Sequence, residues 1–213
     1  MLAIFKREFK SYFQNVIGWL FVAALLAVYG LYFYVYNLKN GYPYISYDLK
    51  GIGFIMMIAV PILTMRSLSD EKKTKTDQLM LTSPVSVGRI VAGKYLAMAA
   101  VYTIDIALFA LSPLVLSIYG KVALSEAYVA LFGYWLYGLS CIAVGLFISS
   151  ISESVIISAI LTFAALFLSY MMQSITGLIS SSGNLLTKVL NCFDLYTPFE
   201  NFVSGCFSVT SAA

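Results

Sequence analysis

Residues 95–118, YLAMAAVYTIDIALFALSPLVLSI, carry a single charged side chain, Asp105. The run is long enough to cross a hydrocarbon layer about 30 Å thick, which takes roughly 20 helical residues. Similar runs lie at Val16 to Tyr36, Gly51 to Met65, Tyr128 to Ile148 and Val155 to Met172. Each is continuously apolar, whereas a porin-like barrel would show segments of about 10 residues alternating with period two. The predicted fold class is an all-α membrane protein, a polytopic helical bundle with five transmembrane helices forming one domain over residues 1–213. Composition agrees: 61% of residues are hydrophobic and 11% charged, against about a quarter charged in soluble domains. The second run is short, and to cover the core it must recruit Tyr47 to Lys50 at one end or Arg66 to Leu68 at the other.

Nine of the 23 charged residues lie in one interval between the second and third spans, residues 66–94, RSLSDEKKTKTDQLMLTSPVSVGRIVAGK. Positive residues in short loops are retained on the cytoplasmic side. Lys6, Arg7 and Lys10 precede span one, and Arg66, Lys72, Lys73, Lys75, Arg89 and Lys94 lie in the interval, against Lys39, Lys50, Lys121 and Lys188 on the other side. The expected topology is multi-pass in the cell (plasma) membrane with a cytoplasmic amino terminus. The net charge of +3 is mostly this bias, and the loop-confined basic residues give no sign of a nucleic-acid partner.

Before span one, Leu2, Phe5, Phe9, Tyr12, Phe13 and Val16 recur at three- and four-residue spacing, with Lys6, Arg7 and Lys10 between them. This predicts an amphipathic helix over 1–15 in the cytoplasmic interface, either an anchor for span one or a brace that also touches a cytoplasmic partner. Tyr42, Tyr44 and Tyr47 in the outer loop read as an aromatic belt. Tyr128, Tyr134, Trp135 and Tyr137 read first as belt or helix packing, and as substrate contacts second. Ser149 to Ser154 turns the chain between spans four and five. Residues 180–213 are expected as an outer interfacial segment, with an amphipathic stretch through Leu185 and Phe193 and a turn at Thr197 and Pro198.

The chain has no histidine, which removes Ser-His-Asp and Cys-His catalysis and the usual zinc sites, and no metal-ligand spacing appears. Of three cysteines, Cys141 lies in span four; Cys192 and Cys206 fall outside, as a disulfide or as free thiols. Gly88 to Lys94 has the GxxxxGK spacing of a phosphate-binding loop, but Tyr95 stands where a serine or threonine should hold Mg²⁺, and Lys94 leads into an apolar helix. Asp105 lies about 16 Å beyond Lys94 along that helix. An intramembrane carboxylate is by default a functional candidate, and here it is either a polar site of transport or a neutral or hydroxyl-bonded packing residue.

Within the interval, Thr76 to Leu81 sets apolar side chains among polar ones, Ser83-Pro84 breaks the helix and Ser86 can cap the next. PILTMR (Pro61 to Arg66), Asp70-Glu71 with Lys72-Lys73, TDQLMLTSPV (Thr76 to Val85) and IVAGK (Ile90 to Lys94) resemble permease subunits of type-two ABC exporters, nearest the gliding-motility-associated group. The family often has glycine before the Thr76 position and glutamate at position 78, where this chain has Lys75 and Gln78. GLFISS (Gly145 to Ser150) and YTPFENF (Tyr196 to Phe202) resemble later family segments, and a sixth span expected from the family is missing.

The resemblance implies a non-catalytic membrane subunit. A second permease subunit, identical or different, would enclose the export path with it, and separate cytoplasmic ABC ATPase subunits would bind ATP and Mg. It makes 66–94 the coupling loop, with a cytoplasmic coupling helix that contacts the ATPase through Glu71, Thr76, Gln78, Leu79, Met80, Leu81, Thr82, Pro84 and Val85, and that moves spans one, two and five. The alternative is a non-transporting scaffold or degenerate permease that binds the ATPase or other permeases.

Overall fold

The computed structural model of the protein describes residues 2–73, 75, 86–119, 122–179 and 196–203. Among these every regular element is helical and no strand forms. Helix α1 (Leu2–Gln14) meets α2 (Val16–Phe33) at the extended Asn15, and α2 runs on as a π-helix, Tyr34–Lys39. Then come α3 (Ser46–Thr64), the short α4 (Ser69–Lys73), α5 (Val87–Phe109), α6 (Ser112–Tyr119), α7 (Leu124–Ile151), α8 (Val155–Ile179) and α9 (Tyr196–Val203). Among the described residues five stretches are long and apolar enough to cross a membrane: Val16–Lys39, Ser46–Lys73, Val87–Ile118, Leu124–Ile151 and Val155–Met172.

The short second run is completed at its first end. Helix α3 begins at Ser46, and two charged residues enter it because each finds a partner. Asp48 is fully buried and accepts a hydrogen bond from Asn37 Nδ2, and Lys50 Nζ lies 3.1 Å from Glu200 of α9. The third span is interrupted near its far end for a local reason. Pro113 has no N–H to give the Phe109 carbonyl one turn back, and Ser112 Oγ donates to it at 2.7 Å, so α5 stops and α6 starts anew. Tyr29 on α2 bonds the same Ser112 hydroxyl.

Helix α3 is the centre of the bundle: more than half of its apolar window lies inside the protein, against under a quarter for α2 and α8. It packs on α2, α7, α8 and α9, while α5 packs on α1, α2 and α7. The outer helices turn large apolar side chains outward, among them Leu20 and Leu31 on α2 and Ile156, Ile157 and Ile160 on α8. That is the surface a bilayer solvates, since no apolar burial is gained by hiding it from lipid. The interior uses small residues for close approach. A Cβ on Gly138 of α7 would run into the ring of Tyr102, whose hydroxyl donates to the Tyr134 carbonyl at 2.7 Å. Tyr134 and Tyr137 are buried, which selects helix packing over a boundary belt for both; Tyr42, Tyr44 and Tyr47 are exposed.

The expected turn at Thr197 and Pro198 is instead the first turn of α9, where the absent proline N–H would have had no helical acceptor. Helix α9 packs into the bundle: Tyr196, Phe199, Phe202 and Val203 are buried against α3, α7 and α8, with the Phe199 ring centroid 5.2 Å from that of Tyr137. The amphipathic stretch expected near Leu185 to Phe193, Cys192, Cys206 and most of the coupling segment (Thr76, Gln78, Leu79, Met80, Leu81, Thr82, Pro84 and Val85) lie outside the described residues.

Candidate functional site

The root of the charged interval is fastened on three sides. After α3 ends, Ser67 N–H bonds the Thr64 carbonyl at 3.0 Å and turns the chain into α4. There the N–H groups of Leu68 and Ser69 both donate to Ser149 Oγ at 3.2 Å, and Ser69 Oγ lies 3.0 Å from the same atom. Lys72 Nζ donates to the Ser150 carbonyl in the last turn of α7, where the helix dipole favours a cation. Close approach to α7 continues below: a Cβ on Gly145 would sit 2.5 Å from Thr64 Oγ1, so only glycine lets α3 and α7 meet there.

The third fastening is ionic. Lys94, two turns into α5, is 2% exposed, and its ammonium donates to Glu71 Oε1 at 2.7 Å and to the Ser67 carbonyl at 2.8 Å. Glu8 of α1 approaches it at 3.6 Å, and Arg7 spans Glu8 at 2.8 Å and Glu71 at 3.8 Å. A lysine so far inside is held only because its charge is matched and its donors are used. Helix α1 is itself set against the bundle by Tyr12, whose hydroxyl donates to the Leu63 carbonyl at 3.4 Å. Burial, with the Glu8 carboxylate adding, raises the Tyr12 phenol above its usual range, so it remains a donor.

Of the residues assigned to ATPase contact, Glu71 is the one inside the described part, and it is turned inward onto Lys94. Lys72 is likewise bonded within the chain. The GxxxxGK stretch, Gly88 to Lys94, is helical throughout, so from its second turn onward the N–H groups serve the helix and form no phosphate cradle. Two participants were not read from sequence. Ser149 and Glu8 carry no local signal of their partners; the lone lysine at the start of an apolar helix, Lys94, was the one visible hint.

Lys75, where the resemblance has glycine, adopts φ +56°, in the left-handed region, just after α4, with its N–H on the Lys72 carbonyl at 3.1 Å. Glycine takes this helix-ending conformation without the Cβ cost of about 1–2 kcal/mol. Lys75→Gly is therefore expected to stabilise the protein by about 1 kcal/mol in denaturant unfolding.

Asp105 sits on α5 one turn beyond Tyr102, fully buried, and among the described residues neither carboxyl oxygen has a hydrogen-bond partner. No hydroxyl reaches it, so hydroxyl bonding within the described residues does not explain it. Replacing an unpartnered buried polar group by an apolar one of similar size removes a cost of about 1–3 kcal/mol. Asp105→Leu is expected to raise the unfolding midpoint in detergent; if export falls as stability rises, the carboxyl acts in transport.

Residues 28–210 match the family described as ABC-2 family transporter protein. The chain belongs to this family. No curated protein and no solved structure matches it. Membership makes the ABC-2 chain a multi-pass membrane component of an ABC transporter, and implies a separate cytoplasmic ABC ATPase as the catalytic partner. In this ABC-2 chain the segment that follows α3 is bonded to α1, α5 and α7 together.

Proposed function

We propose that this chain is an export permease in which residues 66–94 are the cytoplasmic coupling loop and 76–85 dock in a groove of the ATPase. The observation that carries the reading is the fastened root: Glu71 to Lys94, and Leu68 and Ser69 to Ser149. A solvated loop kept basic for topology alone would need neither a buried ion pair nor a hydroxyl shared by two backbone donors. Leu79, Met80 and Leu81 supply apolar contact to the groove, with Thr76, Gln78, Thr82, Pro84 and Val85 shaping the segment. The amino terminus lies in the cytoplasm, and ATP and Mg²⁺ stay on the partner. ATP drives the cycle because it binds the closed ATPase arrangement better than the open one. The root's bonds route that closure into α7 and α5 as well as into α3. A second permease subunit completes the path.

Affinity purification of the tagged chain from its native membrane tests the reading. A Walker-type ATPase in the eluate, with ATP-dependent export when the pair is reconstituted, is the expected result. An ATPase that binds but drives no export would leave a scaffold instead.

A further inference from the structure

Asn37 and Asp48 meet where spans one and two turn back on each other, and both side chains are inside, at 5% and 0% exposure. An α-helix carries residue i+8 about 80° around its axis from residue i. A plain continuation of α2 would therefore take Asn37 off the buried face that holds Leu25 and Tyr29. The wider turns of the π-helix Tyr34–Lys39 rotate it back inward. Its Nδ2 then donates to Asp48 Oδ2, while Asn37 Oδ1 and Asp48 Oδ1, among the described residues, have no hydrogen-bond partner. The charges nearby do not serve them. Lys50 is held 3.1 Å from Glu200 of α9, Lys39 in the π-helix is exposed, and the Tyr29 hydroxyl is bonded to Ser112.

An ionised carboxylate only accepts hydrogen bonds, so as a carboxylate Asp48 would leave both oxygens unmatched and a charge inside without a counterion. A buried carboxyl in that position takes up a proton instead. One proton on Asp48 Oδ1 turns that atom into a donor, and Asn37 Oδ1 belongs to the amide already bonded to the other oxygen of the same carboxyl. We propose that Asp48 is a proton-binding site, whose neutral acid forms a two-bond clasp with Asn37: Nδ2 to Asp48 Oδ2, and Asp48 Oδ1 to Asn37 Oδ1. The single proton satisfies both orphaned oxygens. The clasp joins span one to span two at the ends away from the loop root, so the two move together there. It does not depend on the proposed function, which decides only that this end is the outer one. A divalent metal ion is a poorer occupant, because such ions take six or more ligands and the clasp offers two free side-chain oxygens.

Asp48→Asn is the informative variant, because a second amide offers an N–H where the acid offers its O–H. The test uses the full chain in nanodiscs at neutral pH. Infrared difference spectra between the parent and Asp48→Asn are expected to show the C=O stretch of a protonated carboxyl, shifted in D₂O. The unfolding midpoint, followed by tryptophan fluorescence, is expected to be the same in both. Asn37→Leu removes the partner and lowers the midpoint. Combining Asn37→Asp with Asp48→Asn rebuilds the clasp from the opposite span and restores both the midpoint and the acid band. A carboxylate band in place of the acid band, or a midpoint that falls in Asp48→Asn as far as in Asn37→Leu, would overturn the proposal. So would a midpoint that rises with sodium or potassium concentration, which would mark a cation site.

Discussion

Replacing residues 76–85 with a Gly-Ser linker of equal length is expected to release the ATPase and abolish ATP-driven export while the membrane bundle stays folded. Leu79, Met80 and Leu81 are the apolar anchors of the proposed docking segment, and anchors of this kind cost about 2 kcal/mol or more each when removed from an interface. Loss of one such anchor weakens association about thirtyfold, and loss of all three takes it below detection in a pull-down. The bundle should survive because α2, α3, α5, α7 and α8 pack directly on one another. Co-purification from detergent extracts and export by proteoliposomes measure the two effects, and an ATPase retained by the linker variant would contradict the placement of the segment.

Lys94→Met is expected to cost about 3 kcal/mol of stability, the lower part of the range for breaking a buried ion pair by removing one partner. The variant leaves the Glu71 carboxylate, 19% exposed, with the Lys94 contact gone and Arg7 at 3.8 Å, and it strips the Ser67 carbonyl of its donor. Adding Glu71→Met to Lys94→Met should recover part of the loss, because the second change removes the carboxylate that Lys94 had matched. A double-mutant cycle in denaturant, followed by tryptophan fluorescence, reads the coupling directly. A single variant within about 0.5 kcal/mol of the parent would show that the root is not held by this pair. Coupling should suffer in the single variant before folding does, since the root would then be tied to α7 through Ser149 and no longer to α5.

The apolar runs showed where the helices cross, because hydrophobic length is a local property of the chain. Their ends were less legible. Helix α3 can start at Ser46 with Asp48 on Asn37, across the outer loop, and Lys50 on Glu200, 150 positions away. The same holds for the loop root: nothing beside Ser149 announces the two N–H groups it accepts from, and Glu71 reads as a surface charge until Lys94 is brought to it. Thr197 and Pro198 start a helix where the sequence suggested a turn, because proline costs nothing at a helix start, and the aromatic residues of α9 close on Tyr137 and Tyr170 within the fold. Lys75 is the opposite case, in which a departure from the family's glycine marked in sequence a backbone position that the fold holds in the left-handed region.

Residues 76–85 are proposed to lie in the cytoplasm and to dock on the ATPase. Gln78→Cys, in a chain whose Cys141, Cys192 and Cys206 are replaced by serine, tests it when inverted membrane vesicles containing the ATPase are treated with a short bismaleimide. The expected result is a crosslinked permease–ATPase species that ATP modulates, and protection of the same cysteine from an impermeant maleimide added to right-side-out cells. Labelling of Gln78→Cys from outside the cell, with no crosslink to the ATPase, would contradict it.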